Sequence, residues 1–279
     1  MFLFFTSIAN ILKLNRTIFT NIMPVFVIML KSVHFVLRFD AIPVILGPTY
    51  GQDQTNLMKL VMNLMDNSQI LARVDHTSLK ADATWEEIRT LCGEAVTYHT
   101  ASVCIPPSYI ARARASFPHL NLCTVIGFPL GYSTTAVKVF ETREAVAQGA
   151  DEIDMVIDLG DVKNGDFDAV TGEIAAVREA AAGKVLKVIV ETCYLTQEEK
   201  IRLCQCVTQA GADYIKTSTG FGSAGAQLED ILLFKEHLGP GVKMKAVGGI
   251  RPREAMEAFC EAGCQRIGCS AAVRLLTQE

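Results

Sequence analysis

The chain has 279 residues, 50% of them hydrophobic and 20% charged, with a formal net charge of −4. That length suits one large α/β domain or two small ones. The acidic balance, with no basic stripe interleaved with aromatics, argues against a nucleic-acid-binding face.

From Met1 to about Pro48 the chain is rich in Phe, Ile, Leu and Val. Lys13, Arg16, Lys31 and Arg38 precede the first acid, Asp40. The longest apolar run, roughly Ile18 to Leu30, is short for a membrane span and contains Thr20, Asn21 and Pro24. Met1-Phe2-Leu3-Phe4-Phe5 lacks the charged start of a signal peptide. Residues 1–55 are therefore expected to form an apolar extension outside the fold, either a leader or the product of an upstream start codon. A weak membrane anchor is the alternative.

From about residue 56 to 279 short apolar segments alternate with amphipathic stretches, the pattern of βαβ units on a parallel sheet. The expected strands are Leu71–Asp75, Ser102–Ile105, Leu122–Ile126, Glu152–Ile157, Val185–Glu191, Tyr214–Thr217, Lys243–Val247 and Arg266–Gly268. Thr84-Trp85-Glu86-Glu87 and Thr196-Gln197-Glu198-Glu199 read as helix starts with capping boxes. Further helices are expected over Thr134–Gly149, Asp166–Ala182, Gln227–His237 and Pro252–Ala262, and a last one after Ser270. Eight strands with intervening helices predict a single-domain (β/α)8 TIM barrel. An open doubly wound sheet would place its Gly-rich loop after the first strand, whereas here the Gly-rich turns follow the last three.

Two lysines carry most of the functional information. Lys216 and Lys245 lie in short apolar strands, where lysine is depleted and seldom buried without a reason. An amine close to a second cation loses its proton more easily and becomes a nucleophile toward carbonyl groups. An ordinary lysine is about 0.1% neutral at pH 7.4, and a lowering of ~2–3 pH units raises that a hundredfold or more. Asp154, between Ile153 and Met155, is an acid in an apolar strand and a candidate proton carrier. Lys187 and Glu191 share a strand face and read equally well as an interior ion pair. Lys243 shares a face with Lys245 but lies further from the C-terminal end. Three turns suit an anion: Ser218-Thr219-Gly220 with Gly222, Gly248-Gly249-Ile250-Arg251, and Gly268-Cys269-Ser270.

The nine cysteines are an odd number without framework spacing, and most sit in apolar patterns, as reduced thiols of a cytoplasmic protein do. Cys204-Gln205-Cys206 and Cys260…Cys264 lack paired C-x2-C spacing and a histidine, so no metal is expected.

These residues resemble the deoxyribose-phosphate aldolase family over about Ile70–Leu276. The resemblance rests on Val74-Asp75-His76-Thr77, Ser102-Val103-Cys104-Ile105-Pro106-Pro107, Val125-Ile126-Gly127-Phe128-Pro129-Leu130-Gly131, Glu141-Thr142-Arg143 and Gly149 to Ile157. It continues in Lys187 to Thr192, Tyr214-Ile215-Lys216-Thr217-Ser218-Thr219-Gly220-Phe221-Gly222 and Lys245-Ala246-Val247-Gly248-Gly249-Ile250-Arg251. It implies a class I aldolase that needs no cofactor and reversibly cleaves 2-deoxy-D-ribose 5-phosphate to acetaldehyde and D-glyceraldehyde 3-phosphate in deoxyribonucleotide catabolism. Carried over by position, Lys216 would form the Schiff base, and Lys245 would depress its pKa. Asp154 would relay protons with Lys245 and a water. Gly220, Gly248, Gly249, Arg251, Gly268 and Ser270 would hold the phosphate, and Asp75 and Thr217 would line the site. A homodimer is implied as well.

The chain departs from the family pattern at Ser223-Ala224-Gly225-Ala226-Gln227, at Asp158 where asparagine is common, and at Ala271 where some members have a second serine. It ends Gln278-Glu279, without the tyrosine that closes the tail of some members. Competing readings are another Schiff-base barrel enzyme, such as a transaldolase-like one, and a non-catalytic barrel that binds a partner. Loss of a lysine or of Asp154 would mark the latter, and all three residues are present. Deleting residues 1–55 is expected to leave folding and activity intact; an insoluble or inactive truncation would assign the segment to the domain.

Overall fold

A computed structural model describes residues 65–277, so the extension and the boundary expected near residue 55 lie outside the described residues. The apolar segments become strands: β1 (Val74–Thr77), β2 (Ser102–Ile105), β3 (Leu122–Ile126), β4 (Glu152–Val156), β5 (Val185–Ile189), β6 (Tyr214–Lys216), β7 (Lys243–Val247) and β8 (Arg266–Cys269). The helices are α1 (Asn67–Leu71), α2 (Trp85–Tyr98), α3 (Ile110–Ser116), α4 (Thr135–Ala147), α5 (Leu159–Asn164), α6 (Phe167–Ala180), α7 (Gln197–Gln209), α8 (Leu228–His237), α9 (Arg253–Ala262) and α10 (Ala272–Thr277). Asp66, Thr84 and Thr196 each accept a bond from the backbone N–H three residues on, and Gln69, Glu87 and Glu199 return one, closing three capping boxes.

All strands pair in parallel, in chain order, and β8 closes on β1. The result is the expected closed (β/α)8 barrel. Its outward strand residues are apolar: Ile153 and Met155 of β4, Leu186 and Val188 of β5, Ile215 of β6, and Ile267 of β8 are buried. They belong to one core with Ile174 and Val177 of α6, Val207 of α7, Ile231 and Phe234 of α8 and Met256 of α9. Burial of each large side chain contributes roughly 1.5–3 kcal/mol.

The start of the barrel differs from the expectation. Ile70 and Leu71 are buried on the short helix α1, not on a strand, and β1 begins at Val74. The Asp66–Gln69 capping box closes that turn, and apolar pairing in so short a run does not separate helix from strand. Helices α3 and α5 were not anticipated; each buries only one or two residues, too few for a periodic signal. Strand β5 ends at Ile189 instead of Glu191, because Glu191 turns into the left-handed region at φ 53°.

One buried ion pair fixes the catalytic end of β4. Lys138 of α4 is fully buried; its Nζ donates to the Val156 carbonyl at 2.9 Å and to Glu173 Oε1 at 2.7 Å. Glu173 Oε2 accepts from the Asp158 N–H at 3.2 Å. Among the described residues no helix is long and apolar enough to cross a membrane. Lys138→Met leaves Glu173 unpaired and is expected to lower the unfolding free energy by about 3–5 kcal/mol in urea titrations. Adding Glu173→Leu should recover part of that; a single-variant loss below about 1 kcal/mol would show that the pair fastens nothing.

Candidate active site

Side chains alternate in and out along each strand, so strand register decides which charges meet inside the barrel. Asp154 is in register with Lys187, and Lys216 with Lys245, which in turn is in register with Arg266. These groups converge on Asp154, which is fully buried. Its Oδ2 accepts from both Lys216 Nζ and Lys245 Nζ, each at 2.7 Å. Its Oδ1 accepts from Lys187 Nζ at 2.8 Å. Lys245 Nζ also lies 2.5 Å from Asp75 Oδ2, an ion pair without hydrogen-bond direction. Below them Lys187 reaches Glu152 at 2.5 Å, and Arg266 pairs with Asp75 at 2.6 Å and with Glu152 at 2.9 Å.

Four cations thus face three carboxylates. Burial alone would push the carboxyls of Asp154 and Asp75 up. The surrounding cations outweigh it: Lys187, Lys216 and Lys245 hold Asp154 well below the usual carboxylate range, and Lys245, Lys187 and Arg266 do the same to Asp75. Burial opposes the charge on Lys245 and Lys187, yet their carboxylate neighbours raise both above the ordinary lysine value. Lys245 has two carboxylates in contact and Lys187 three. Lys216 has only Asp154, which it shares with both other amines, so it is the cation that the cluster supports least.

On the other side of the barrel interior, Cys104, Cys123 and Val125 form a small apolar cluster with Leu79 and Phe128. Cys123 Sγ lies 3.2 Å from Asp154 Oδ1. Burial raises the Cys123 thiol, while a hydrogen bond from Cys123 lowers that of Cys104.

The expected phosphate residues divide into two groups. Gly220, Gly249, Arg251 and Ser270 are exposed in the loops after β6, β7 and β8, and Gly248 is half-buried beside them. Gly268 is buried inside β8, where a Cβ would meet Val247 Cγ2 at 2.7 Å; packing accounts for that glycine. The Thr217 hydroxyl is engaged by the Val247 backbone, accepting its N–H at 3.1 Å, and so ties β6 to β7. Asp75 lies in the charge cluster itself, against Lys245.

Sequence reasoning left Lys187 open and passed over Glu152 and Arg266. Lys187 pairs with Asp154, Glu152 and Asp75 and not with Glu191, which turns instead to Thr219. Lys243 is exposed, with its amine 5.5 Å from the Tyr214 ring centre. The available signal was alternation: Glu152 and Asp154 share a face, and so do Lys243 and Lys245. Gly225 was also missed. A Cβ there would lie 2.2 Å from the Gly248 carbonyl oxygen, so the loops after β6 and β7 meet backbone to backbone. The departure at Ser223–Gln227 therefore keeps a glycine where the loops touch.

Fold and site together define a (β/α)8 barrel protein with buried amines around a carboxylate. The model of the family described as DeoC/LacD family aldolase matches residues 61–262. A deoxyribose-phosphate aldolase of Clostridium botulinum is 57% identical over 216 residues, 77% of this chain and 98% of that one. One of Clostridioides difficile is 54% identical over 211 residues, 75% of this chain and 96% of its own. Among solved structures, the tetrameric deoxyribose phosphate aldolase from Aeropyrum pernix superposes with a TM-score of 0.73 at 32% identity, covering 79% of this chain and 94% of that one. An aldolase called QR15 gives 0.72 at 37% identity, covering 74% and 94%. The chain belongs to the DeoC/LacD aldolase family and is an aldolase.

Asp75 and Asp154 have depressed folded-state pKa values relative to about 3.8, so the stabilisation they provide is present above that value and is lost as pH falls through the folded-state range. Stability to urea is expected to hold from about pH 5 to 7 and to decline below about pH 4, and Asp154→Asn should weaken that decline. An identical acid limb in the variant would remove Asp154 from the network.

Proposed function

We propose that Lys216 is the Schiff-base nucleophile of an enzyme that reversibly cleaves 2-deoxy-D-ribose 5-phosphate. The family membership supports the substrate. The observation that carries the residue roles is the single Asp154 oxygen shared at 2.7 Å by Lys216 and Lys245. Two like charges about 4 Å apart repel by about 4 kcal/mol at an effective dielectric near 20, which works against both amines being charged at once. Lys216 touches one carboxylate and Lys245 two, so Lys216 is the amine assigned as nucleophile and Lys245 the cationic neighbour.

The neutral amine adds to the aldehyde carbon of the open-chain sugar, and loss of water gives an iminium ion. Removal of the C3 hydroxyl proton breaks the C2–C3 bond. Its electron pair flows into the iminium and forms an enamine, while glyceraldehyde 3-phosphate departs. Protonation of C2 and hydrolysis release acetaldehyde and restore the amine. Asp154, bridging the two amines, carries protons with Lys245 and a water. Gly220, Gly248, Gly249, Arg251 and Ser270 hold the phosphate through backbone N–H groups and the guanidinium; Asp75 holds Lys245 in place. No metal or cofactor takes part in this scheme.

A homodimer remains our reading of the assembly, to be decided by light scattering. The nine unpaired thiols favour a reducing, cytoplasmic setting.

Borohydride reduction in the presence of acetaldehyde, followed by peptide mass mapping, should place the adduct on Lys216 and find none in Lys216→Leu. Labelling of Lys187 or Lys243 would overturn the assignment. Lys245→Leu should reduce kcat by about 10²–10⁴-fold and move the pH optimum upward, since the nucleophile then lacks its cationic neighbour. An unmoved pH profile would refute the activating role.

A further inference from the structure

Glu191 is a buried carboxylate, 3% exposed, at the catalytic mouth just after β5. It forms no ion pair among the described residues; its oxygens turn to the backbone and hydroxyl of one threonine instead. The Thr219 N–H donates to Oε1 and Oε2, each at 3.2 Å, and the Thr219 hydroxyl donates to Oε2. That hydroxyl also accepts the Phe221 N–H at 3.0 Å. Gly222 packs on the same carboxylate, where a Cβ would come within 3.0 Å of Glu191 Cδ. The Glu191 side chain therefore engages residues 219 and 222, on both sides of Gly220, and reaches Phe221 through the Thr219 hydroxyl.

The backbone of Glu191 is left-handed, φ 53° and ψ 66°, which is uncommon for a residue with a Cβ. Among the described residues, the other non-glycine ones with positive φ are His99 and Ala182. They directly follow helices α2 and α6 or lie one residue further, where such a turn is ordinary. Glu191 ends no helix. Its strained turn aims the carboxylate across at the next loop.

We propose that Glu191 is a positioning residue for the phosphate turn after β6: it holds Thr219–Gly222 so that Gly220 presents its backbone to the phosphate of the substrate. This rests on the phosphate reading of that turn given above. Glu191 touches no reacting atom. It acts through Thr219.

The test compares kcat/KM for 2-deoxyribose 5-phosphate and for unphosphorylated 2-deoxyribose in the wild type, Glu191→Ala, Glu191→Gln and Thr219→Val. In Glu191→Ala and Thr219→Val the ratio of the two values should fall about tenfold, through KM for the phosphorylated sugar, as expected for one lost buried hydrogen bond. Glu191→Gln keeps an acceptor and should stay within about threefold of the wild-type ratio. Thr219→Val removes no buried charge, so it reads the same contact if Glu191→Ala folds poorly. An unaltered ratio in Thr219→Val, or Glu191→Gln falling as far as Glu191→Ala, overturns the proposal. A wild-type ratio near one would instead overturn the phosphate reading on which it rests.

Discussion

The barrel is organised around one carboxylate. Asp154 receives three ammonium groups, from β5, β6 and β7, on its two oxygens. Interior positions of such barrels are usually filled by branched apolar side chains. Here a layer of charge takes their place, and removing each ion from water costs several kcal/mol. The arrangement is tolerable because each charge touches at least one of opposite sign. It is held in shape from outside, by the apolar belt between strands and helices and by helix caps that need nothing from the interior.

Register turns this charge into geometry. Asp154 opposite Lys187 and Lys216 opposite Lys245 are consequences of how β4 to β7 align; a shift of one residue would turn these side chains out among Ile153, Val188 and Ile215. The Lys138–Glu173 pair holds the end of β4 two residues beyond Asp154, so an ion pair outside the site helps keep the site aligned. The interior is also two-sided. Charges and Gly-rich loops occupy the side of β4 to β8, and Cys104, Cys123, Val125 and Phe128 the side of β2 and β3. A substrate with an anion at one end and a small apolar fragment at the other matches that division.

Lys216, Lys245 and Asp154 were legible in the sequence because each contradicts the apolar strand around it. The order of strands and helices was legible because the apolar period changes at every junction. Lys187 was ambiguous for a physical reason: alternation places it on one face with both a partner across the sheet and Glu191 along the strand. Only the left-handed turn at Glu191 separates the two. Arg266 and Glu152 sit at strand starts, where a charged residue is ordinary; only the face that Glu152 shares with Asp154 marks it as interior, and nothing marks Arg266. The first strand was displaced because Ile70 and Leu71 suit a helix of one turn as well as they suit a strand.

The same cluster ranks its three amines. All three amines are buried to within 2% of full enclosure, so burial does not rank them. Partners do. Lys187 is enclosed by Asp75, Glu152 and Asp154, and Lys245 by Asp75 and Asp154, so neutralising the first gives up three ion pairs and the second two. Neutralising Lys216 gives up one pair and leaves Asp154 with two ammonium groups still bound. The amine at the end of β6 thus has the fewest carboxylate partners of the three.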